Sequence, residues 1–246
     1  MPDILPDILV IAAVILAALV GFTIAGVAGF GGGVVTLPVL IWALGIREAV
    51  PVMALSQLIG QLTRGWLNRE EISWPVVKWF TAGALPLAVL GSLIFVSVPT
   101  SILVRFLGVL MLLIVVLPRI SKGPKLRMKL WGFAPVGATS GFLSAFLGMP
   151  GPLLAAFYLS YGLLAGAYIG TAAAGMLLIQ VPKLVVYGGS GLLGVRTVAL
   201  GLAIGVVAAL ASWAGQRIMR RVPQRLFPAL INGMLLTVGL LFLVRG

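Results

Sequence analysis

Ten apolar segments, joined by links too short to fold alone, fill almost the whole chain. They run roughly over 7–28, 33–45, 49–67, 74–97, 100–118, 130–147, 151–165, 167–187, 192–215 and 224–244. Such a pattern leaves no stretch polar enough to be a soluble head. Lipid offers the backbone no hydrogen bonds, so a spanning chain must form helices or a closed barrel. A helix of about 20 residues crosses a hydrocarbon core of about 30 Å. The expected fold is therefore an all-α, polytopic transmembrane helical bundle. The second and seventh segments are too short to cross, and each follows a Gly/Pro-rich break. They read as half-helices or arms of re-entrant hairpins.

Composition agrees with a membrane interior. Of 246 residues, 61% are hydrophobic and 9% charged, against about 25% charged in a soluble domain. The net charge of +12, from 17 basic and 5 acidic residues, is the excess that cytoplasmic loops of polytopic proteins gather. That makes the lipid bilayer, and not nucleic acid, the expected partner. The chain has no cysteine and no histidine, which excludes disulfides, His-based triads and Cys/His zinc sites. Nothing calls for a cofactor or a metal. Met1-Pro2-Asp3 lacks the basic start of a cleaved signal peptide, so the first segment reads as retained.

An internal repeat lies under the segments. The break Gly29-Phe30-Gly31-Gly32-Gly33 recurs as Gly148-Met149-Pro150-Gly151-Pro152, at an offset of 119 residues. The same offset carries Gln61 onto Gln180 and Arg64 onto Lys183. Gly91 and Val98-Pro99 recur as Gly215 and Val222-Pro223, at an offset of 124. This divides the chain into repeats 1–123 and 124–246.

Loop charge sets the expected topology. The central linker holds Arg119, Lys122, Lys125, Arg127 and Lys129, and the last loop holds Arg217, Arg220, Arg221 and Arg225. Both should be cytoplasmic. The first-half counterpart of the last loop, around Val96 to Ser101, has no charge and should face outside. Counterpart loops then lie on opposite sides, so the two repeats are inverted, with both termini outside. Arg47, Arg196 and Arg245 are the minority that fall outside. Trp66, Trp74 and Trp131 flank the cytoplasmic loops and read as interfacial anchors. Inverted repeats are common in secondary transporters, with the substrate near the midplane where helices break.

The two breaks are the first candidates for a site. A half-helix starting inside a bundle exposes first-turn N–H groups and the positive end of its dipole, which together suit an anion. Gly31, Gly32 and Gly33 would allow close approach. Met149, Pro150, Gly151 and Pro152 form the counterpart, where the prolines fix φ. Glycines that merely let helices pack closely are the competing explanation. The run is neither G-x-G-x-x-G, since Val34 stands where the third glycine belongs, nor a P-loop.

Polar residues inside the segments come next. Gln57, Gln61 and Arg64 share one helix face by their spacing, and Gln180 and Lys183 repeat the last two. Ionisable groups in a span usually face the bundle interior and mark a pathway. Arg64, near a helix end, could instead snorkel to the interface. Lys183 has no acid anywhere in its half, so an anionic ligand or backbone carbonyls must offset it. All five acids, Asp3, Asp7, Glu48, Glu70 and Glu71, sit at termini or in loops. No carboxylate within a span is available for a proton relay or for intramembrane aspartyl proteolysis, and HExxH is absent. A positive, acid-free interior fits an anion and no enzyme. An inside-negative potential favours anion export by about 2.3 kcal/mol per charge per 100 mV, so a uniporter would suffice.

The residues from Gly29 to Pro38, GFGGGVVTLP, resemble the opening motif of the TauE/SafE sulfite-exporter family, and Gly148 to Pro152 resemble its second-half motif. Length, repeat and basic linker match as well. The resemblance implies an inner-membrane permease for small sulfur-containing anions such as sulfite or organosulfonates, without fixing substrate or direction. An anion channel and an accessory membrane subunit are the alternatives, and a homo-oligomer is compatible with all three.

Overall fold

Long runs of Leu, Val, Ile and Ala, unbroken by charge, have only their own backbone as hydrogen-bond partner in lipid, and they fold as helices. The computed structural model describes residues 4–120, 128–147, 151–163 and 165–218, and no strand occurs among them. The first half contains α1 (Ile4–Ala28), α2 (Gly32–Leu44), α3 (Ile46–Leu67), α4 (Trp74–Ser97) and α5 (Thr100–Ile120). The second contains α6 (Phe133–Leu147), α7 (Gly151–Tyr161), α8 (Ala165–Gly189) and α9 (Val195–Ile218). The segment 224–244, the repeat boundary at Gly123-Pro124, the Val222-Pro223 turn and Gly148, Met149 and Pro150 lie outside the described residues. So do Lys122, Lys125, Arg127, Arg220, Arg221, Arg225 and Arg245.

Four described helices are long and apolar enough to cross a membrane, spanning Ile8–Ala28, Trp74–Ser97, Gly166–Gly189 and Val195–Ile218. The two short segments are short helices. The 13 residues of α2 and 11 of α7 reach about 20 Å and 17 Å at 1.5 Å per residue. With 22 residues, α3 is long enough to cross, yet its glutamines and end charges keep it out of the apolar set. It also starts earlier than the apolar run suggests, because Gly45 turns the chain at φ 76 and the helix takes in Arg47 and Glu48.

The helices pack as a network: α4 on α6 and α8, α3 on α8 and α9, and α1 on α2 and α9. Two crossings bring backbone against backbone. A Cβ on Gly83 would stand 1.9 Å from the Ala134 carbonyl oxygen, and one on Gly137 2.0 Å from that of Phe80. The α1–α9 crossing is built alike. A Cβ on Gly26 would stand 2.3 Å from the Ser212 carbonyl oxygen, and one on Gly215 2.3 Å from that of Thr23. Small residues earn this role because helices in lipid associate by packing, without a hydrophobic drive.

Arg47, one of the minority basic residues, has a structural explanation. Its guanidinium donates to the carbonyls of Phe95 and Val96, both at 2.8 Å, and to that of Val98. It thereby caps the open C-terminal carbonyls of α4. Arg196 lies 3.6 Å from Glu48. Trp66, Trp74 and Trp131 are all exposed, in keeping with an interfacial belt.

Candidate functional site

The first break is a tight hairpin. Gly29 and Gly31 take φ of 77 and 122, a region open mainly to glycine. The chain then reverses, and α2 runs back along α1, where Thr36 donates its hydroxyl to the Ala17 carbonyl at 3.2 Å. The first bond of α2 is made by the Val35 N–H to the Gly31 carbonyl at 3.0 Å. The N–H groups of Gly32, Gly33 and Val34 precede it, and no side chain caps them.

Close packing also accounts for these glycines. A Cβ on Gly32 would meet the Phe22 ring at 2.9 Å, and one on Gly31 would meet Ile24 at 2.7 Å. A leucine at 32 would therefore disrupt packing whether or not an anion binds there. The Phe22 ring also lies against Gly60 of α3, so the hairpin sits at the level of the polar face of that helix. In the second break, Gly151 and Pro152 begin α7, and Met149 and Pro150 precede the described stretch.

The polar face of α3 and that of α8 are buried. Gln57, Gln61, Arg64, Gln180 and Lys183 are each at most 1% exposed. Snorkelling is thus overturned for Arg64. Its Nη1 donates to the Ser212 hydroxyl at 3.0 Å, and Ser212 Oγ lies 3.4 Å from the Phe22 carbonyl oxygen. The Arg64 side chain links α3 to α9 and, through Ser212, to α1. Gln61 Nε2 reaches Gln57 Oε1 at 3.4 Å, a long bond.

Lys183 donates its Nζ to the Ser144 carbonyl at 2.9 Å. A backbone carbonyl, one of the two partners the charge required, is therefore present. Ser144 lies in the last turn of α6, where carbonyls are left open and the dipole is negative. One turn along α8, the Tyr187 hydroxyl donates to the neighbouring Ala145 carbonyl at 2.9 Å. The sequence places Arg64 and Lys183 at matching positions, but their bonds go to different helices.

Both cations keep company with unpaired polar atoms. Among the described residues, Arg64 Nη2, Gln57 Nε2 and both amide atoms of Gln180 are buried without a hydrogen-bond partner. The two ion pairs found among these residues are Arg69–Glu70 and Arg196–Glu48. Neither touches the buried cations. A buried donor left unpaired costs about 1–3 kcal/mol.

Sequence reasoning missed two aromatic hydroxyls. Tyr158 of α7 and Tyr168 of α8 are buried, and neither hydroxyl has a partner among the described residues. Tyr168 lies against the first break: a Cβ on Gly29 would stand 2.6 Å from its ring. Its hydroxyl is also within electrostatic reach of Arg64. The available signal was rarity, since only four tyrosines occur in the chain. The position of Tyr168 near Arg64 depends on how α8 packs against α3, which spacing does not reveal, and Tyr158 joins through its ring contact with Tyr168.

Comparison with known proteins adds one match. The family described as sulfite exporter TauE/SafE matches residues 13–242, from α1 to near the C-terminus. No curated protein and no solved structure matches the chain significantly. Helices fit to span a membrane, a hairpin break at GFGGGVVTLP and a match over nearly its full length place this chain in the TauE/SafE sulfite exporter family of membrane proteins.

Proposed function

We propose that the chain is a permease for a small sulfur oxyanion, sulfite or an organosulfonate, acting as a uniporter or secondary carrier in the cell inner membrane. One observation carries the reading. Arg64 and Lys183 are both buried, and among the described residues no carboxylate pairs with either. A translocating anion is the partner that such an interior favours. The family's name points to the same substrate class. The ligand would pass between the two breaks, held by first-turn N–H groups and assisted by Gln57, Gln61, Gln180 and the two cations.

Paired contacts support the two-repeat part of this reading. A Cβ on Gly91 would meet the Phe142 carbonyl oxygen at 2.8 Å and the Ala145 Cβ at 3.1 Å. One on Gly215 would meet the Thr23 carbonyl oxygen at 2.3 Å and the Gly26 Cα at 3.2 Å. The partners Thr23 and Phe142, and Gly26 and Ala145, are each separated by the 119 residues that separate the breaks. Exchanging the halves turns α4–α6 into α9–α1 and α3–α9 into α8–α4, all observed packings. With the halves inverted and the termini outside, Arg64 would lie toward the cytoplasm and Lys183 toward the exterior. An anion would then meet one cation at each end of its path.

Flux from sulfite-loaded proteoliposomes tests the reading. Efflux should saturate with sulfite, accelerate under an inside-negative potential and disappear in Lys183→Met. Flux that rises linearly without saturation would replace the carrier with a channel. Flux no faster than from protein-free vesicles would leave an accessory subunit.

A further inference from the structure

We infer that Arg64, Tyr168 and Tyr158 form an oxyanion seat beside the first break, a binding point composed entirely of hydrogen-bond donors. The inference deepens the permease reading and rests on it for the identity of the natural anion. The end of α3 lies against the start of α8 here: Gly170 faces Asn68, one turn beyond Arg64, and Arg64 and Tyr168 are within electrostatic reach of each other. Arg64 Nη2 comes from α3, the Tyr168 hydroxyl from α8 and the Tyr158 hydroxyl from α7, and none has a partner among the described residues. The Tyr158 and Tyr168 rings lie 5.5 Å apart between centroids. The rings of Phe80 and Phe133 also pack against Tyr158, at 6.3 Å and 5.1 Å between centroids. The Gly29 turn closes against Tyr168, and a Cβ there would stand 2.9 Å from its hydroxyl oxygen.

Chemistry narrows the ligand. A guanidinium is always charged, has no acceptor and presents its N–H groups as a planar fork suited to oxyanions. Arg64 uses one arm of that fork on Ser212 and has Nη2 to spare. A phenol can rotate its O–H toward an anion. Three donors match the three oxygens that a pyramidal or tetrahedral oxyanion shows to one side. The Glu71 carboxylate lies over the first turn of α8 at Gly166, is exposed, and forms no ion pair with Arg64. It leaves the charge of Arg64 uncompensated. A ligand carrying its own ammonium group would face that charge, so the seat favours plain oxyanions over aminosulfonates.

The hydroxyls supply a clean test. A hydroxyl that only holds the fold loses stability when removed. An unpartnered buried hydroxyl loses none, because its removal relieves a desolvation cost. Purified protein is titrated with sulfite, sulfate, thiosulfate, phosphate and chloride, and binding is read from saturable thermal stabilisation. Tyr168→Phe and Tyr158→Phe should each weaken oxyanion binding about tenfold, as expected for one lost bond to a charged group. The unliganded Tm should hold or rise. Arg64→Gln should abolish the binding. Unchanged affinity with a lowered Tm in both Phe variants would overturn the seat, as would a wild-type protein that no oxyanion stabilises. Saturable sulfite binding insensitive to both tyrosines would leave the permease standing and the seat refuted. Tyrosine-dependent binding of phosphate alone would uphold the seat and refute the sulfur substrate.

Discussion

Arg64 and Lys183 occupy matching places in the two halves, yet they are held in different ways. Arg64 leans on a side chain, the Ser212 hydroxyl of α9, and keeps Nη2 unpaired. Lys183 leans on backbone, the Ser144 carbonyl in the last turn of α6, with Tyr187 fastening the next residue. A backbone carbonyl at a helix end is a fixed partner with a partial negative charge. A hydroxyl can rotate away. The contrast teaches that two charges at matching sequence positions can be given different work. Lys183 ties α8 to α6 as well as supplying charge, whereas Arg64 retains a donor that a ligand can take.

The broadest way to break the comparison is to attack the close crossings of α4 on α6 and of α1 on α9. Gly91→Leu and Gly215→Leu each force a side chain onto a facing backbone that cannot yield. Each should cost about 3 kcal/mol or more, the upper range for overpacking. The monodisperse yield of both variants measures this, and a well-folded Gly215→Leu alone would show that the halves are not equivalent. Next in size comes Lys183→Met, which should abolish saturable flux while moving Tm little. It deletes a buried charge together with its bond, a replacement that is often neutral for stability. A large drop in Tm with flux per folded molecule intact would make Lys183 a staple only.

Ser212→Ala sharpens the other side. It removes the hydroxyl to which Arg64 Nη1 donates and should cost about 1.5–3 kcal/mol, as for a hydrogen bond to a charged group. Thermal unfolding measures the cost, and a neutral result would show that Arg64 finds another acceptor at once. The smallest effect belongs to Tyr187→Phe, which removes one neutral bond to the Ala145 carbonyl. It should cost about 1 kcal/mol and leave flux unchanged. A flux defect there would extend the pathway one turn beyond Lys183.

Much of the architecture can be read from the residues. The apolar runs mark the helices because a spanning backbone must satisfy itself, and α4 runs over Trp74–Ser97 as its segment suggests. The shortness of α2 follows from Gly45 and the GFGGG break on either side of it. The common face of Gln57, Gln61 and Arg64 follows from helical period alone. Partners are another matter. Arg64 near a helix end looks free to reach the interface, and only the approach of α9 shows that Ser212 holds it inside. Tyr168 looks like one more apolar-segment aromatic until α8 is laid against the Gly29 turn.

Local chemistry, acting through hydropathy, helical period and glycine's freedom at positive φ, determines where this chain is helical, where it breaks and which residues share a face. It also determines that α8 carries no acid and that α3 carries only Glu48, at the end opposite Arg64. Tertiary structure alone decides which helix each polar face meets. In lipid that choice rests on close backbone packing, such as Gly83 on Ala134 and Gly215 on Thr23, and on bonds between residues far apart in sequence. Those contacts depend on shape in three dimensions, and they turn two matching cations into a fastened lysine and an arginine with a donor to spare.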